Sequence, residues 1–304
     1  MIHEVIKVGK GDGAKTHDVH IYDDFYECMQ HCKDIRRQEN EGGYGPDCAG
    51  QLNSRTSSRG YDWTFGVDWD SSIRLLESGW PEGVERAEKM SADIMTVQGG
   101  HRLQDVLIHD TQGPICDTGA FIEGVPECMC YLGQEVRPGA GKVIDVLIDL
   151  STSWGVAGEK MALRGAAHIA LVTALEQAGF KCTISVCHGS FSLSGHSILE
   201  VIKVQDTQSV ADLDRIAYVV AHPAFFRRQC FSLAEQHGKE IRKTCGVIHD
   251  GGYGRPRSLT EITDRYDMYT GPLSSYDSEF GDIASCAAWV NEKLKEYGAV
   301  VEAL

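Results

Sequence analysis

Residues 142–149 read Lys-Val-Ile-Asp-Val-Leu-Ile-Asp, and no other stretch restricts the fold as much. A run this apolar and β-branched suits a strand buried on both faces of a parallel sheet. Gly155 and Gly158 break the chain after it, and the spacing predicts a helix reaching Ala178. The inward stripe of that helix is Met161, Gly165, His168, Val172 and Leu175, in steps of four and three that share one helix face. His168 lies inside the stripe, so it reads as a satisfied core histidine rather than a ligand. Gly179 stops the helix. Cys182 to Cys187 and Ile198 to Val204 then read as a hairpin around the Ser- and Gly-rich turn at 189–195. Ser209-x-x-Asp212 has the form of a helix cap ahead of Leu213, Ile216, Ala217 and Val220. His222-Pro223 breaks that helix, and a second is expected from Pro223 to His237. Cys245 to Ile248 reads as a short buried strand ending at His249-Asp250, Tyr266 to Tyr269 as a further strand, Asp282 to Tyr297 as the last helix, and Val300-Val301 as a closing strand. Strands alternating with helices imply an α/β fold, an open and mostly parallel sheet with helices on both faces.

The first 140 residues read less clearly. Helices are expected at 23–38, 71–76 and 81–94 and a short strand at 106–108, while 42–60 is rich in Gly, Ser, Asn and Arg and reads as loop. Arg137-Pro138-Gly139-Ala140-Gly141 is the strongest linker signal. It divides the chain into an N-terminal mixed α+β region, 1–140, and an α/β domain, 141–304. Charge divides there too, with 13 Lys and Arg against 24 Asp and Glu before it and 16 against 20 after it.

With a formal net charge of -15, most of the surface repels phosphate, which argues against bulk binding of nucleic acid or an anionic membrane. No apolar run approaches the roughly 20 residues of a membrane span. Met1-Ile2-His3-Glu4 lacks the basic and apolar segments of a signal peptide, so the expected location is cytoplasmic. Eleven cysteines in such a chain are expected as reduced thiols, many of them small buried hydrophobes. Cys28-x-x-His31-Cys32 with Cys48, and Cys116 with Cys128-x-Cys130, offer zinc donors without the paired C-x-x-C spacing of a strong zinc motif.

Ligand sites in open α/β sheets lie at the carboxyl ends of the strands. The 142–149 strand ends there in Asp149-Leu150-Ser151-Thr152-Ser153, one carboxylate and two hydroxyls on alternate residues. These hard oxygen donors suit Mg²⁺. A later apolar strand ends in Asp250-Gly251. This D-x-S-x-S loop, followed by helix, hairpin, helices and an Asp-Gly strand end, resembles the von Willebrand factor A domain over residues 142–304. The resemblance implies a metal-ion-dependent adhesion site with Asp149, Ser151, Ser153 and Asp250 as ligands and Thr207 as the nearest match to the family's threonine. Asp206-Thr207-Gln208 lacks the family's glycine context, and Trp154 stands where the family has a small residue. The function so implied is a non-enzymatic, Mg-dependent protein-interaction module, in which a partner's Asp or Glu completes the metal. In that family a AAA+ ATPase of the MoxR type is a frequent partner.

A different class of function is open as well. Residues 225–257 hold seven Lys and Arg (Arg227, Arg228, Lys239, Arg242, Lys243, Arg255, Arg257) against three acids. Tyr253 sits among glycines in the same stretch, the ingredients of a stacking platform for single-stranded bases. The corresponding function is a single-stranded-DNA-binding transcription or replication factor that recruits a polymerase. A hydrolase is a third class, although no G-x-S-x-G elbow, Walker loop or H-E-x-x-H motif occurs. The Trp63-to-Gly83 segment resembles stretches of bacteriophage proteins, which implies a phage accessory factor and a phage polymerase as a further candidate partner.

Overall fold

The computed structural model describes residues 1–8, 15–34, 63–94, 96–98, 101–138, 142–153, 155–191, 196–207, 211–235, 237, 256, 260–297 and 300–302. Its centre is a six-stranded sheet. The strands, from one edge to the other, are β1 (Ile2–Val8), β2 (Lys15–Tyr22), β9 (His196–Gln205), β8 (Lys181–Phe191), β7 (Val143–Asp149) and β10 (Met268–Thr270). Three junctions are parallel (β2 with β9, β7 with β8, β7 with β10), and the hairpin pairs β1–β2 and β8–β9 are antiparallel. The fold is therefore mixed α/β with a mostly parallel sheet.

The apolar run at 142–149 becomes β7 and is flanked on both sides, as its composition requires. Alternation sorts its side chains onto two faces. Ile144, Val146 and Ile148 enter the larger core, while Leu147 joins Val19, Cys187, Leu199, Val201 and Ile262 in a smaller cluster on the opposite face. Each such side chain, fully buried, stabilises the fold by about 1.5–3 kcal/mol. Covering the larger core are α1 (Phe25–Asp34), α2 (Trp69–Ser78), α3 (Pro81–Ser91), α5 (Gly158–Gln177), α6 (Leu213–Ala221) and α8 (Ile283–Glu296). Three of these begin on a carboxylate that accepts from the N3 backbone N–H, namely Asp68, Asp212 and Asp282.

Two expectations are corrected. Residue 140 does not separate two structural units. β1 and β2 extend the main sheet through β9, and α2 and α3 pack on α5 and α6. The strand expected at 266–269 is present as Met268–Thr270 and pairs with β7, and the strand expected at Cys245–Ile248 lies outside the described residues. The segment after Pro223 is not one α-helix either. Phe225–Cys230 forms a wholly buried π-helix, followed by the short α7 (Phe231–Glu235). The closing strand β11 (Val300–Glu302) pairs with β3 (Thr96–Gln98), outside the main sheet. Residues 101–138 form a separate three-stranded unit of β4 (His101–Asp110), β5 (Ile115–Cys116) and β6 (Met129–Pro138), with α4 (Thr118–Ile122) at its turn. The described cysteines are free thiols, six of them buried.

Gly165 sets the approach of α5 to α6. A Cβ there would lie 2.2 Å from Ala221 Cα and 2.5 Å from the Val220 carbonyl oxygen. Gly165→Ala is therefore expected to force the helices apart and cost about 1–3 kcal/mol, outweighing the helix propensity gained. Thermal denaturation followed by circular dichroism reads this as a lowered Tm. An unchanged Tm would show that the two helices are free to separate.

Candidate functional site

The D-x-S-x-S segment leaves β7 at the carboxyl edge of the sheet, between β8 and β10. Asp149 is fully buried. Its Oδ1 accepts from the Ser151 amide at 2.8 Å, and its Oδ2 accepts from the Tyr269 hydroxyl at 3.2 Å. Burial pushes the carboxyl up to about 6, against the pull of the Ser151 hydrogen bonds and the Arg164 charge. The Ser151 hydroxyl accepts from the Gly189 amide at 3.2 Å. Ser151 and Ser153 also exchange backbone hydrogen bonds with Leu273, on the segment that follows β10. The loop is thus a short extra rung between β8 and the β10 exit.

One face of α5 holds this arrangement in place. Residues 160, 164 and 168 recur at helical spacing and all reach toward the β10 exit. The Arg164 guanidinium, almost fully buried, donates to the Asp149 carbonyl at 2.8 Å and to the Gly271 carbonyl at 2.6 Å. Lys160 donates to the carbonyls of Ser274 and Ser275, each at 3.0 Å. His168 donates from Nδ1 to the Arg164 carbonyl at 2.7 Å and accepts at Nε2 from the Thr270 hydroxyl at 3.0 Å. The core role expected for His168 is borne out by its burial.

These residues do not fit the Mg²⁺ site that the resemblance implies. Each Asp149 oxygen and the Ser151 hydroxyl accepts an internal hydrogen bond, and the neighbouring cation is a guanidinium. A divalent ion would have to sit beside that buried positive charge. The strand next to β7 ends in Thr270-Gly271, without an acid. Asp250 and Trp154 lie outside the described residues. Thr207 is at the wrong end of the sheet. Val201 is level with Cys187, which is paired with Asp149, and Thr207 follows six residues further along the descending chain, roughly 20 Å away. It lies instead near an acidic cleft of about 380 Å³ lined by Asp23, Asp24, Asp206 and Asp212 with Lys203 and Arg215.

The basic surface is also redrawn. Arg227 is completely buried, donating to the carbonyls of Trp63 and Val156 with its guanidinium 3.8 Å from the Trp63 ring centroid. Arg228 is buried and donates to the Val67 carbonyl. Neither reaches phosphate from there. Arg242, Lys243, Tyr253, Arg255 and Arg257 lie outside the described residues.

A polar group unforeseen in the sequence lies one strand further from β7. Glu200 is fully buried between His188 and His237. Burial alone would raise its carboxyl, but the two imidazoles outweigh it and hold the carboxyl down to about 2. A Glu inside Ile198-Leu199-Glu200-Val201-Ile202 was the readable signal, since a charge centred in an apolar strand needs a partner.

Two buried histidines give the fold an acid sensitivity. Burial, with Arg164 nearby, lowers His168 to about 3, and burial, with Arg86 nearby, lowers His222 to about 4. Each is held neutral by an accepting ring nitrogen, His222 Nδ1 taking the Ala224 amide at 3.1 Å. Both fold with a pKa below the unfolded value of 6.5. Their stabilisation is therefore complete above about pH 6.5 and is lost as pH falls toward 4 and 3. The expected slope is about 1.4 kcal/mol per pH unit for each histidine below pH 6. Urea denaturation at several pH values checks it. His222→Phe should remove one histidine's share of the slope, and an unaltered slope would show that His222 is protonated in the fold.

No curated protein and no solved structure matches the chain significantly. Residues 7–298 match a family described as a domain of unknown function, DUF7192, a match that runs through the main sheet and across residue 140. The chain belongs to the DUF7192 family.

Proposed function

We propose that this chain is a non-enzymatic binding module of von Willebrand factor A-like architecture, which docks a protein partner on the carboxyl edge of its sheet. The observation that carries the reading is the fixed loop beside the D-x-S-x-S segment. Lys160 and the Ser151–Leu273 rung pin that loop at its base, and Asp277 accepts from the Ser274 amide at 2.6 Å. On it stands Tyr276, 93% exposed and the most exposed large hydrophobic residue described. A rigidly mounted, exposed Tyr is the kind of side chain that anchors protein interfaces. The strand order β9–β8–β7–β10, with the D-x-S-x-S loop after β7, supports the architecture. The Asp149 carboxylate and the Ser151 hydroxyl accept from the Ser151 amide, the Tyr269 hydroxyl and the Gly189 amide, which favours a scaffold over a reaction centre. A AAA+ ATPase of the MoxR type is the first partner to try. Burial of Arg227 and Arg228 takes support away from the single-stranded DNA reading.

The test is affinity capture from the native host or infected cell with the full chain as bait and Mg²⁺ omitted. Wild type is expected to retain a stoichiometric protein partner in nuclease-treated lysate. Tyr276→Ala should lower its retention at least tenfold, with the melting temperature unchanged. Recovery of nucleic acid alone, or of a partner held equally by Tyr276→Ala, would contradict this reading.

A further inference from the structure

Residues 101–138 form a single layer, with β6 between β4 and β5. Among the described elements, no helix or strand of the main fold packs closely on any of these three strands. Strand register fixes what one face of the layer carries. His109 of β4 and Ile115 of β5 flank Cys130 of β6, and Leu107 pairs with Leu132 one step further along the same face. Asp117 belongs to this face too. Its Oδ2 accepts from His109 Nε2 at 3.0 Å, and Cys130, on the strand between them, is fully buried. The other oxygen of Asp117 caps α4, which brings Phe121 and Ile122.

A sheet with an apolar face is normally covered on that face by a second layer. Here the face is open. Leu107 and Phe121 are exposed, Leu132 is 69% exposed and Ile122 83%. Of the fifteen exposed large hydrophobics among the described residues, seven fall between Leu107 and Leu132, so the exposure belongs to this unit and is not scattered over the surface. Apolar patches with a polar rim mark interaction sites. The rim carries one sign of charge. From Leu107 to Gly133 the chain holds Asp110, Asp117, Glu123 and Glu127 and neither Lys nor Arg. Charge therefore selects the occupant. A second copy would set the same four carboxylates against these, and an anionic bilayer would repel them, whereas Lys and Arg are drawn in.

We propose that this face is a docking surface for a basic amphipathic helix of a partner protein. The apolar side of that helix covers the Leu107–Leu132 pair and α4, and its flanking Lys and Arg meet the acidic rim. It supplies the layer that the three strands lack, by a recurrent mode in which a helix lays its apolar face on an apolar surface. The carboxylates steer the encounter and exclude acidic partners, while the apolar side chains hold the complex. The proposal does not rest on the reading at Tyr276.

The experiment uses the full chain and, as probe, a fluorescein-labelled synthetic helix of Leu and Lys with every Leu on one side, followed by fluorescence anisotropy. One comparison peptide has the same composition with its Leu scattered around the helix, and another has Glu in place of Lys. Wild type is expected to bind the probe, and each comparison peptide at least tenfold more weakly. Leu132→Ser and Ile122→Ser should each lower affinity about tenfold, the loss of one anchoring side chain, with Tm unchanged because both positions face solvent. Glu123→Lys combined with Glu127→Lys should reverse the preference between the Lys and Glu helices. Tyr276→Ala should bind as wild type does. Equal binding of the scattered peptide would reduce the effect to bulk charge and overturn the proposal. So would unchanged affinity in either serine variant, or a loss in Tyr276→Ala. A wild-type dimer in sedimentation that Leu132→Ser dissolves would assign the face to a second copy, and attachment to phosphatidylcholine vesicles that Ile122→Ser abolishes would assign it to lipid; each would overturn the proposal as well.

Discussion

A single buried guanidinium joins the parts of this structure that sequence places far apart. Arg164 sits in the second turn of α5 and bonds at once to the end of β7 and the end of β10. Removing a guanidinium from water is costly, and the cost is recovered only where several acceptors and an opposite charge surround it. Here Asp149 supplies the charge and backbone carbonyls supply the acceptors. The carboxyl edge of the sheet is consequently rigid. Its loop geometry is kept by an internal cation, and the Asp149 carboxylate and the Ser151 hydroxyl are buried in internal hydrogen bonds.

The same edge explains how the N-terminal residues belong to the fold. β2 lies parallel to β9 and carries His20 opposite Glu200, so the first 22 residues complete both the sheet and its polar row. α2 and α3 cover the outer sides of α5 and α6, with Trp69, Leu76, Ala87 and Met90 buried against them. A family match that runs from residue 7 to residue 298 agrees with one interwoven structure.

Much of the C-terminal topology was legible in the sequence because it rests on local periodicity. The β7 run, the α5 stripe through His168 and the β8–β9 hairpin each announce themselves within some twenty residues. Pairing across long separations does not. The choice of Met268–Thr270 as the neighbour of β7 depends on Leu273 meeting Ser151 and on Arg164 reaching Gly271, contacts more than a hundred residues apart. The D-x-S-x-S pattern located a real loop, yet its residue types say nothing about where their hydrogen bonds go. Arg227 and Arg228 looked like surface charge because composition cannot distinguish a solvated helix face from a buried π-helix. The histidine row was hidden for the same reason. His3, His20, His188 and His237 acquire meaning only once strand register sets them beside Glu200.

The central claim is that Arg164 takes the place of a divalent cation at the D-x-S-x-S loop. Melting curves of wild type and Arg164→Met, each with and without millimolar Mg²⁺, test it most directly. Wild-type curves should coincide, because bound Mg²⁺ would otherwise raise Tm by mass action. Arg164→Met should melt roughly 10 °C lower, since leaving the buried Asp149 and Gly271 carbonyls without their donor and the buried Asp149 carboxylate without its nearby charge costs about 3–5 kcal/mol, and each kcal/mol moves Tm by about 2–4 °C in a chain of this order of size. A wild-type Tm that climbs with Mg²⁺ concentration, or an Arg164→Met variant as stable as wild type, would contradict the account.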